Sequence, residues 1–204
     1  MVTITKDRRI CWLDAGQRAI QCISLLQLLV PSASPSPSSP PLTNKKEVDQ
    51  PDLQISSSFS MGKATEMLLY LPGYLNVASI SRVLLDWLTD NWYLLDGSSE
   101  LLYLCSPPLT ACTVIADHSV LSRPLAVELD ATEGLLFISR HGDRSRLGPK
   151  SLGPAILRCS LDGGNVQTLV DVRIVEPRQL AVDVPQRKLY WVDVYLGKGA
   201  FKGF

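Results

Sequence analysis

The chain has 204 residues, of which 46% are hydrophobic and 20% are charged, a globular composition that can build one ordinary core. Its 20 basic and 20 acidic residues cancel, and no basic stripe or block of like charge points to a nucleic acid or an anionic membrane. A membrane span needs about 18–20 consecutive apolar residues. The best run, Ala19 to Val30, is shorter and is broken by glutamines, so no membrane contact by this segment is predicted.

The first predicted unit is a β-hairpin within residues 1–25. Gly16-Gln17 lies between two apolar runs, and glycine at the first central position is typical of a two-residue type II′ turn. Such a turn places Cys11 directly opposite Cys22. Directly opposed residues in a non-hydrogen-bonded antiparallel pair lie close enough for a disulfide, so we predict a Cys11–Cys22 bridge.

Residues 26–75 interrupt the strand pattern. Pro31 to Leu42 is almost entirely proline and serine, which cannot build a hydrogen-bonded ladder and which indicates a disordered insertion. Within the same stretch, Met67–Leu71 predicts an outer strand for the first unit. A genuine loop, an alternative exon and a gene-model error explain this insertion equally well.

A strand–turn–strand unit recurs from residue 81 onward. Asp86, Asp130 and Asp183 end the first strand of successive copies and lie 44 and 53 residues apart, against about 40–45 residues for a four-stranded propeller blade. The polar stretch Gly142 to Gly153 accounts for the longer spacing as a loop insertion. The predicted strands fall near 81–87, 91–96, 100–105 and 112–117, then near 124–129, 134–139, 155–160 and 166–171. Residues 176–196 begin another copy.

The five cysteines fit a secreted, disulfide-bonded protein better than a metal site. Cys105 and Cys112 flank a short loop and are predicted to face each other. Cys159 is then free or paired outside the chain. Since no pair has C-x-x-C spacing and no histidines cluster nearby, no metal is predicted.

Four short motifs occupy the second strand of each unit. Tyr190-Trp191-Val192-Asp193 is the fullest, Tyr93-Leu94-Leu95-Asp96 and Phe137-Ile138-Ser139-Arg140 are partial, and Cys11-Trp12-Leu13-Asp14 takes the same place in the first hairpin. These residues resemble the YWTD repeats of the low-density lipoprotein receptor family, and in particular the N-terminal propeller of the large endocytic receptor-related proteins. The resemblance covers about residues 7–25 and 75–196.

The resemblance implies an all-β fold, an incomplete six-bladed YWTD-type β-propeller with two complete four-stranded blades and two partial ones. Residues 1–25 are expected to form the partial first blade, 26–75 the insertion, 76–196 the remaining blades and 197–204 a tail. Because blades cover one another and YWTD propellers have six, we expect a fragment or truncated product that cannot close a ring alone.

The acidic and aromatic motif residues are predicted to be structural. Carboxylates at strand ends accept hydrogen bonds from turn or neighbouring-blade amides, and large aromatic side chains pack between blades. Arg140 stands where the motif has aspartate. The candidate structural residues are Trp12, Asp14, Asp86, Tyr93, Asp96, Asp130, Phe137, Asp162, Asp183, Tyr190, Trp191 and Asp193.

By resemblance, the function is that of a propeller in the extracellular part of a membrane receptor, at the plasma membrane and in endosomes. It is expected to bind protein ligands, or to act as a spacer next to EGF-like modules, during endocytosis of lipoproteins or other proteins. The family uses propeller histidines in acid-triggered ligand release, which makes His141 the candidate pH switch. The sequence contains no predicted signal peptide or membrane-spanning helix.

Two alternatives differ in class. One is a lactonase-like six-bladed propeller hydrolase, which needs several polar residues on the innermost strands. Those strands read Val83-Leu84-Leu85, Leu125-Ala126-Val127 and Leu180-Ala181-Val182, so an enzyme and a cofactor are not predicted. The other is a non-functional truncated product.

Overall fold

The computed structural model describes residues 2–4, 9–25, 67–143 and 152–204, and these residues form fifteen strands in four antiparallel sheets. The predicted proline- and serine-rich segment lies outside the described residues. Each sheet is one blade, with its strands in chain order from one edge to the other. Blade 1 contains β1 (Val2–Ile4), β2 (Arg9–Asp14), β3 (Ala19–Ser24) and β4 (Met67–Tyr70). Blade 2 contains β5 (Ile80–Asp86), β6 (Asn91–Asp96), β7 (Leu101–Ser106) and β8 (Ala111–Ala116).

The second half of the chain continues the same arrangement. Blade 3 contains β9 (Pro124–Asp130), β10 (Leu135–Arg140), β11 (Ala155–Ser160) and β12 (Gln167–Val170). Blade 4 contains β13 (Pro177–Asp183), β14 (Lys188–Asp193) and β15 (Lys198–Gly203). The first strands β1, β5, β9 and β13 contact one another in that order, so they form the inner edges of the blades. This is the radial arrangement of a propeller.

The core lies between the blades. One apolar cluster joins blades 1 and 2, with Cys22 against Trp92, and a second joins blades 2 and 3, with Tyr93 near Leu136. A third joins blades 3 and 4 and includes Phe137. Since β6 and β10 are buried on both sides, they need apolar residues at successive positions rather than alternating ones.

Blade 1 has four strands, where residues 1–25 were expected to form a partial blade. β4 pairs with β3 and supplies the outer strand predicted near residues 67–71. Blade 4 also differs, because residues 197–204 are not a tail. β15 pairs with β14 along its whole length, and Phe204 N–H donates to Arg187 O at 3.1 Å. Two glycines in β15 weaken its sequence signal, whereas backbone pairing needs no side chain.

The predicted type II′ turn at Gly16-Gln17 is wrong, although the register is the predicted one. β2 and β3 are joined by four residues, and Arg18, not Gly16, takes the left-handed conformation at φ 53°. Asp14 stabilises this loop by accepting the Gln17 N–H at 3.0 Å. A four-residue loop centred on the same bond keeps Cys11 opposite Cys22.

Candidate functional site

The aspartates that end the first strands hold hairpin loops together. Asp86 accepts the Leu88 N–H at 2.9 Å and the Thr89 hydroxyl at 2.6 Å. Asp130 accepts the Thr132 N–H at 2.9 Å, and Asp183 the Gln186 N–H at 3.0 Å. Each carboxylate therefore accepts a hydrogen bond from an amide of its own turn.

The motif aspartates at the ends of the second strands act in the same way. Asp96 accepts the Ser98 and Ser99 N–H groups at 3.0 and 2.9 Å. Burial opposes the charged form of Asp96, but hydrogen bonds from Ser99 and other serines prevail and lower its pKa. Asp14 accepts the Gln21 side-chain amide at 2.7 Å.

Asp193 also fixes the linker between blades 3 and 4. It accepts the Val175 N–H at 2.7 Å and the Glu176 N–H at 3.2 Å, both immediately before β13. The same carboxylate accepts the Leu196 N–H of its own hairpin at 3.2 Å. One buried side chain thus joins a loop to an interblade connection.

Arg140 performs the corresponding task in blade 3 with the opposite polarity. Its guanidinium donates to Val120 O at 2.7 Å, in the linker from blade 2, and to Gly153 O at 3.1 Å. The side chain is half-buried, and burial lowers the pKa of Arg140. The Arg140 guanidinium, which stands in place of the motif aspartate, therefore donates to carbonyl oxygens where an aspartate would accept from N–H groups.

Arg18 was missed by the sequence analysis. Its Nη2 donates to Pro72 O, Gly73 O and Leu75 O at 3.0, 3.1 and 2.8 Å, all in the linker between blades 1 and 2. Arg18 lies in a hairpin loop outside the motif, and its partners are backbone oxygens more than fifty residues away. Nothing in the local sequence indicates such a contact.

Aromatic motif residues pack between neighbouring blades. Tyr93 is 1% exposed and its hydroxyl donates to Leu161 O of the next blade at 3.1 Å. Burial, with nearby carboxylates, raises the pKa of Tyr93 to about 12. Phe137 is fully buried and its ring centroid lies 4.6 Å from that of Phe204. By contrast, Tyr190 is 37% exposed, and Trp12 and Trp191 are partly buried.

The Asp162-Gly163 turn fits closely against blade 2. Asp162 accepts the Gly164 N–H at 2.9 Å, and Gly163 is left-handed at φ 83°. A Cβ on Gly163 would overlap Ile115 O of β8. Glycine is required here both for the conformation and for the close approach of two backbones.

The cysteines pair as the spacing predicts. Cys11 and Cys22 form a disulfide with Cα atoms 4.1 Å apart, and Cys105 and Cys112 form another at 4.2 Å. Cys159 is buried and makes no disulfide in the described part of the chain. Burial, with the nearby Asp162 carboxylate, raises the pKa of Cys159 to about 11, which keeps the thiol protonated.

The aspartate carboxylates described above lie at the ends of separate blades and do not converge on one site. Among the described residues, no group of three or more histidine, cysteine, aspartate or glutamate side chains is placed to hold a metal ion. No helix in the described ranges is long and apolar enough to cross a membrane. The predicted site residues are thus brought into equivalent positions rather than into one centre.

A polar cleft of about 560 Å³ lies between blades 2 and 3 and is the candidate functional site. Glu100 accepts the Arg123 N–H at 2.7 Å across it. Ser122 and Arg123 are left-handed at φ 30° and 55°, conformations that non-glycine residues adopt at a cost of about 1–3 kcal/mol and that cluster at functional sites. The cleft is lined by Glu100, His118, Ser119, Ser122, Arg123, Asp143 and Leu152.

His141, the predicted pH switch, lies beside this cleft rather than in its lining. The backbone N–H of His141 donates to Arg123 O at 3.0 Å, and the ring Nδ1 lies 3.2 Å from Gly142 O. His118 does line the cleft and is exposed. His118 has no motif residue beside it in the sequence, so only the fold identifies it as a candidate.

Comparison with known proteins gives partial relatives. No protein-family profile matches the chain. It is 31% identical to the vitellogenin receptor of Solenopsis invicta over 117 residues, which are 57% of this chain and 6% of that receptor. It is 30% identical to the vitellogenin receptor Yl of Drosophila melanogaster over 112 residues, 55% of this chain and 5% of that receptor. The chain therefore spans a small part of the length of the curated relatives it matches.

Solved structures show the same fold. A chain in the crystal structure of a nidogen/laminin complex superposes with a TM-score of 0.58 at 17% identity, covering 94% of this chain and 55% of that chain. At this identity the likeness concerns the fold alone. It confirms the all-β propeller prediction, with three four-stranded blades and one three-stranded blade where two complete and two partial blades were expected.

Proposed function

We propose that this chain, which carries YWTD repeats of the low-density lipoprotein receptor family, is a protein-binding or spacer propeller in the extracellular part of an endocytic receptor. The observation that carries this proposal is the YWTD-like sequence on β6 and β14, in a chain that is 31% and 30% identical to two vitellogenin receptors over 117 and 112 residues. The ligand class is a lipoprotein or another protein, and vitellogenin is the probe that the relatives' names supply.

The cleft between blades 2 and 3 is the proposed ligand surface. Glu100, Asp143 and the exposed Arg123 all line it, so it presents both signs of charge within a polar concavity. Protein-binding surfaces of extracellular modules use such groups to orient a partner and to speed association. EGF-like neighbours and residence at the plasma membrane and in endosomes are part of the same proposal.

Acid release follows from the composition of the cleft. Histidine gains a positive charge between about pH 7 and pH 5, the range of endosomal acidification. His118 lines the same cleft as Arg123 and is therefore one candidate for a pH-dependent contact with the ligand. The other candidate pH switch is His141, whose backbone N–H donates to Arg123 O beside the cleft.

A hydrolase needs several polar groups that converge on one substrate. The described blades do not provide such a group of residues. The aspartates of the described blades accept hydrogen bonds within separate loops. These carboxylates lie in separate hairpins and do not converge on one substrate position. No described observation favours the hydrolase over the receptor propeller.

The test is binding of the disulfide-intact chain to vitellogenin by surface plasmon resonance near pH 7 and near pH 5.5. We expect binding near neutrality, with an affinity about tenfold weaker at the lower pH, a change of about 1.4 kcal/mol. His118→Ala combined with Arg123→Gln should weaken binding, whereas Arg178→Ala, at another exposed arginine on blade 4, should not.

Each outcome is decisive for one part of the proposal. Absence of vitellogenin binding at both pH values would contradict the protein-binding function for this ligand and leave the spacer role. Binding that is unchanged in the cleft variant would place the ligand elsewhere. An unchanged pH dependence in His141→Ala would remove His141 as the switch.

A further inference from the structure

The two disulfides have the same backbone setting but different surroundings. Each joins directly opposed residues of neighbouring antiparallel strands, with Cα atoms 4.1 Å apart for Cys11–Cys22 and 4.2 Å apart for Cys105–Cys112. Cys11, Cys22 and Cys105 are at most 1% exposed, whereas Cys112 is only partly buried. A thiolate that reduces a disulfide has to reach one of its sulfur atoms, so the rate depends on access. The Cys105–Cys112 bond is therefore the more accessible of the two.

Strand position explains the difference in access. Cys22 lies on β3, which pairs with β2 on one side and with β4 on the other, where Met67 is its partner. Cys112 lies on β8, the outermost strand of the blade 2 sheet in the described part of the chain. Of the six residues of β8, only Ala116 is buried. The Cys105–Cys112 bond therefore lies one strand further out in its blade than the Cys11–Cys22 bond.

One tyrosine covers the outer side of Cys112. The Tyr74 hydroxyl accepts the Cys112 N–H at 2.8 Å and donates to Cys112 O at 3.1 Å. In a non-hydrogen-bonded pair these backbone groups point away from the partner strand, so the hydroxyl occupies the place that β4 takes beside Cys22 in blade 1. Tyr74 is itself 65% exposed. At this position the edge of blade 2 is therefore covered by a single side chain rather than by a strand.

Tyr74 connects this edge to blade 1. It lies in the linker between blades 1 and 2, and Arg18 of blade 1 donates to the linker carbonyl oxygens on either side of it, Gly73 O at 3.1 Å and Leu75 O at 2.8 Å. The Cys112 side chain also packs against the apolar cluster that joins the two blades. Cys112 is thus held from two directions, by its disulfide within blade 2 and by a linker that blade 1 anchors.

We propose that the Cys105–Cys112 bond is a thiol–disulfide exchange site, which a protein dithiol reduces in the folded chain while Cys11–Cys22 stays oxidised. A thiolate of the reductant attacks Cys112 Sγ, the S–S bond breaks, and the Cys105 sulfur leaves with the bonding electrons and takes up a proton. The second thiol of the reductant loses its proton and attacks the reductant's own sulfur in this mixed disulfide, which releases Cys112 as a thiol. The reductant supplies two electrons and ends as a disulfide. This exchange does not depend on the ligand proposed above.

Reduction acts on the outer edge of blade 2. Without the bond, β8 is held by its pairing with β7 and by the Tyr74 hydroxyl. A strand at the edge of a sheet opens at a lower free energy than the central strands do, and its amide hydrogens then exchange faster. Oxidation restores the bond, so the site is a reversible redox switch between a closed and a loosened blade edge.

The first test is timed reduction of the full, disulfide-intact chain by reduced thioredoxin near pH 7. Samples are quenched with acid, unfolded in urea, labelled with N-ethylmaleimide and mapped by peptide mass spectrometry. We expect Cys105 and Cys112 to become labelled at least about tenfold faster than Cys11 and Cys22, because the buried bond requires a larger opening of the fold. Cys159, which makes no disulfide in the described part of the chain, is the internal reference. Equal rates for the two bonds, or faster reduction of Cys11–Cys22, would overturn the proposal.

A pair of tyrosine variants tests the cover over Cys112. Tyr74→Phe removes the hydroxyl that holds the Cys112 backbone and should speed reduction of Cys105–Cys112 several-fold, with no change at Cys11–Cys22. Tyr70→Phe is the matched control, since Tyr70 is 63% exposed on β4 and should leave both rates unchanged. If Tyr74→Phe reduces no faster than the parent chain, Tyr74 does not guard the bond and this part of the proposal is wrong.

Two further measurements separate a switch from unfolding. In urea below the unfolding midpoint, reduction of the folded chain should keep nearly the same rate, whereas reduction through global unfolding would accelerate with the population of unfolded chains. Hydrogen exchange of the selectively reduced chain should be faster in β8 and unchanged in β9 to β12 of blade 3. A rate that follows global unfolding, or unchanged exchange in β8 after reduction, would contradict the redox switch.

Discussion

Replacing Arg140 by aspartate restores the motif residue in blade 3, and the structure predicts that this restoration destabilises the protein. The Arg140 guanidinium donates to Val120 O at 2.7 Å and to Gly153 O at 3.1 Å. An aspartate there would place a carboxylate among carbonyl oxygens and would supply no donor. A motif-based argument expects the opposite, because substitutions toward a consensus commonly stabilise by about 0.5–2 kcal/mol.

The size of the effect follows from the two bonds that are lost. A hydrogen bond to a charged group contributes about 1.5–3 kcal/mol, and the lower value applies because Arg140 is only half-buried. Two such bonds give about 3 kcal/mol for Arg140→Asp. For a chain of this length, 1 kcal/mol moves the melting temperature by about 2–4 °C, so a decrease of about 6–12 °C is expected.

Urea unfolding followed by tryptophan fluorescence measures this change directly. Arg140→Met is the matched control, since it removes the donors without adding a negative charge and should lie between the parent and Arg140→Asp. Asp193→Arg is the reciprocal change and should also destabilise, because the Val175 and Glu176 N–H groups lose their acceptor. An Arg140→Asp chain as stable as the parent, or more stable, would refute the assignment of Arg140 to the linker carbonyls.

Three further predictions concern other groups. Burial raises the pKa of Glu128, so the folded state binds a proton at the Glu128 carboxylate more readily than the unfolded chain does. The stability of the fold therefore decreases as the pH rises above the ordinary carboxyl value near 4.5. Glu128→Gln should raise the melting temperature at pH 7 and not near pH 4, and a lower melting temperature at pH 7 would contradict this prediction. Arg18→Met should cost about 1–3 kcal/mol in urea unfolding through loss of its linker carbonyls, and an unchanged midpoint would show that these contacts contribute nothing. Unreduced intact mass should show two disulfides, with Cys105→Ser/Cys112→Ser costing about 2–3 kcal/mol; four free thiols in secreted protein would exclude both bridges.

The strands could be predicted because their signal is local. The pattern placed β6 at 91–96 and β11 at 155–160, and the structure has the same bounds. Short apolar runs bounded by Asp, Gly and Pro carry this information, since both faces of a blade are buried. The disulfide register of Cys11 and Cys22 was predictable for a related reason, because any symmetric loop about the same centre opposes the same residues.

The last strand and the cleft could not be predicted in this way. β15 reads Lys-Gly-Ala-Phe-Lys-Gly and is exposed throughout, so it lacks the apolar run that marked the other strands. The cleft combines Glu100, at the end of one hairpin, with Arg123, at the end of a linker 23 residues later. Its geometry depends on two left-handed residues, Ser122 and Arg123, whose types do not favour that conformation.

The linkers explain why the last motif position differs between blades 3 and 4. A linker between blades carries backbone N–H and C=O groups that must be satisfied when they are buried. Where it presents N–H groups, as at Val175 and Glu176, the solution is the motif aspartate Asp193. Where it presents a carbonyl, as at Val120, an aspartate would repel it and Arg140 takes its place. In this chain, the charge at each of these two strand ends therefore matches the linker group that it contacts, an acceptor at Asp193 and a donor at Arg140.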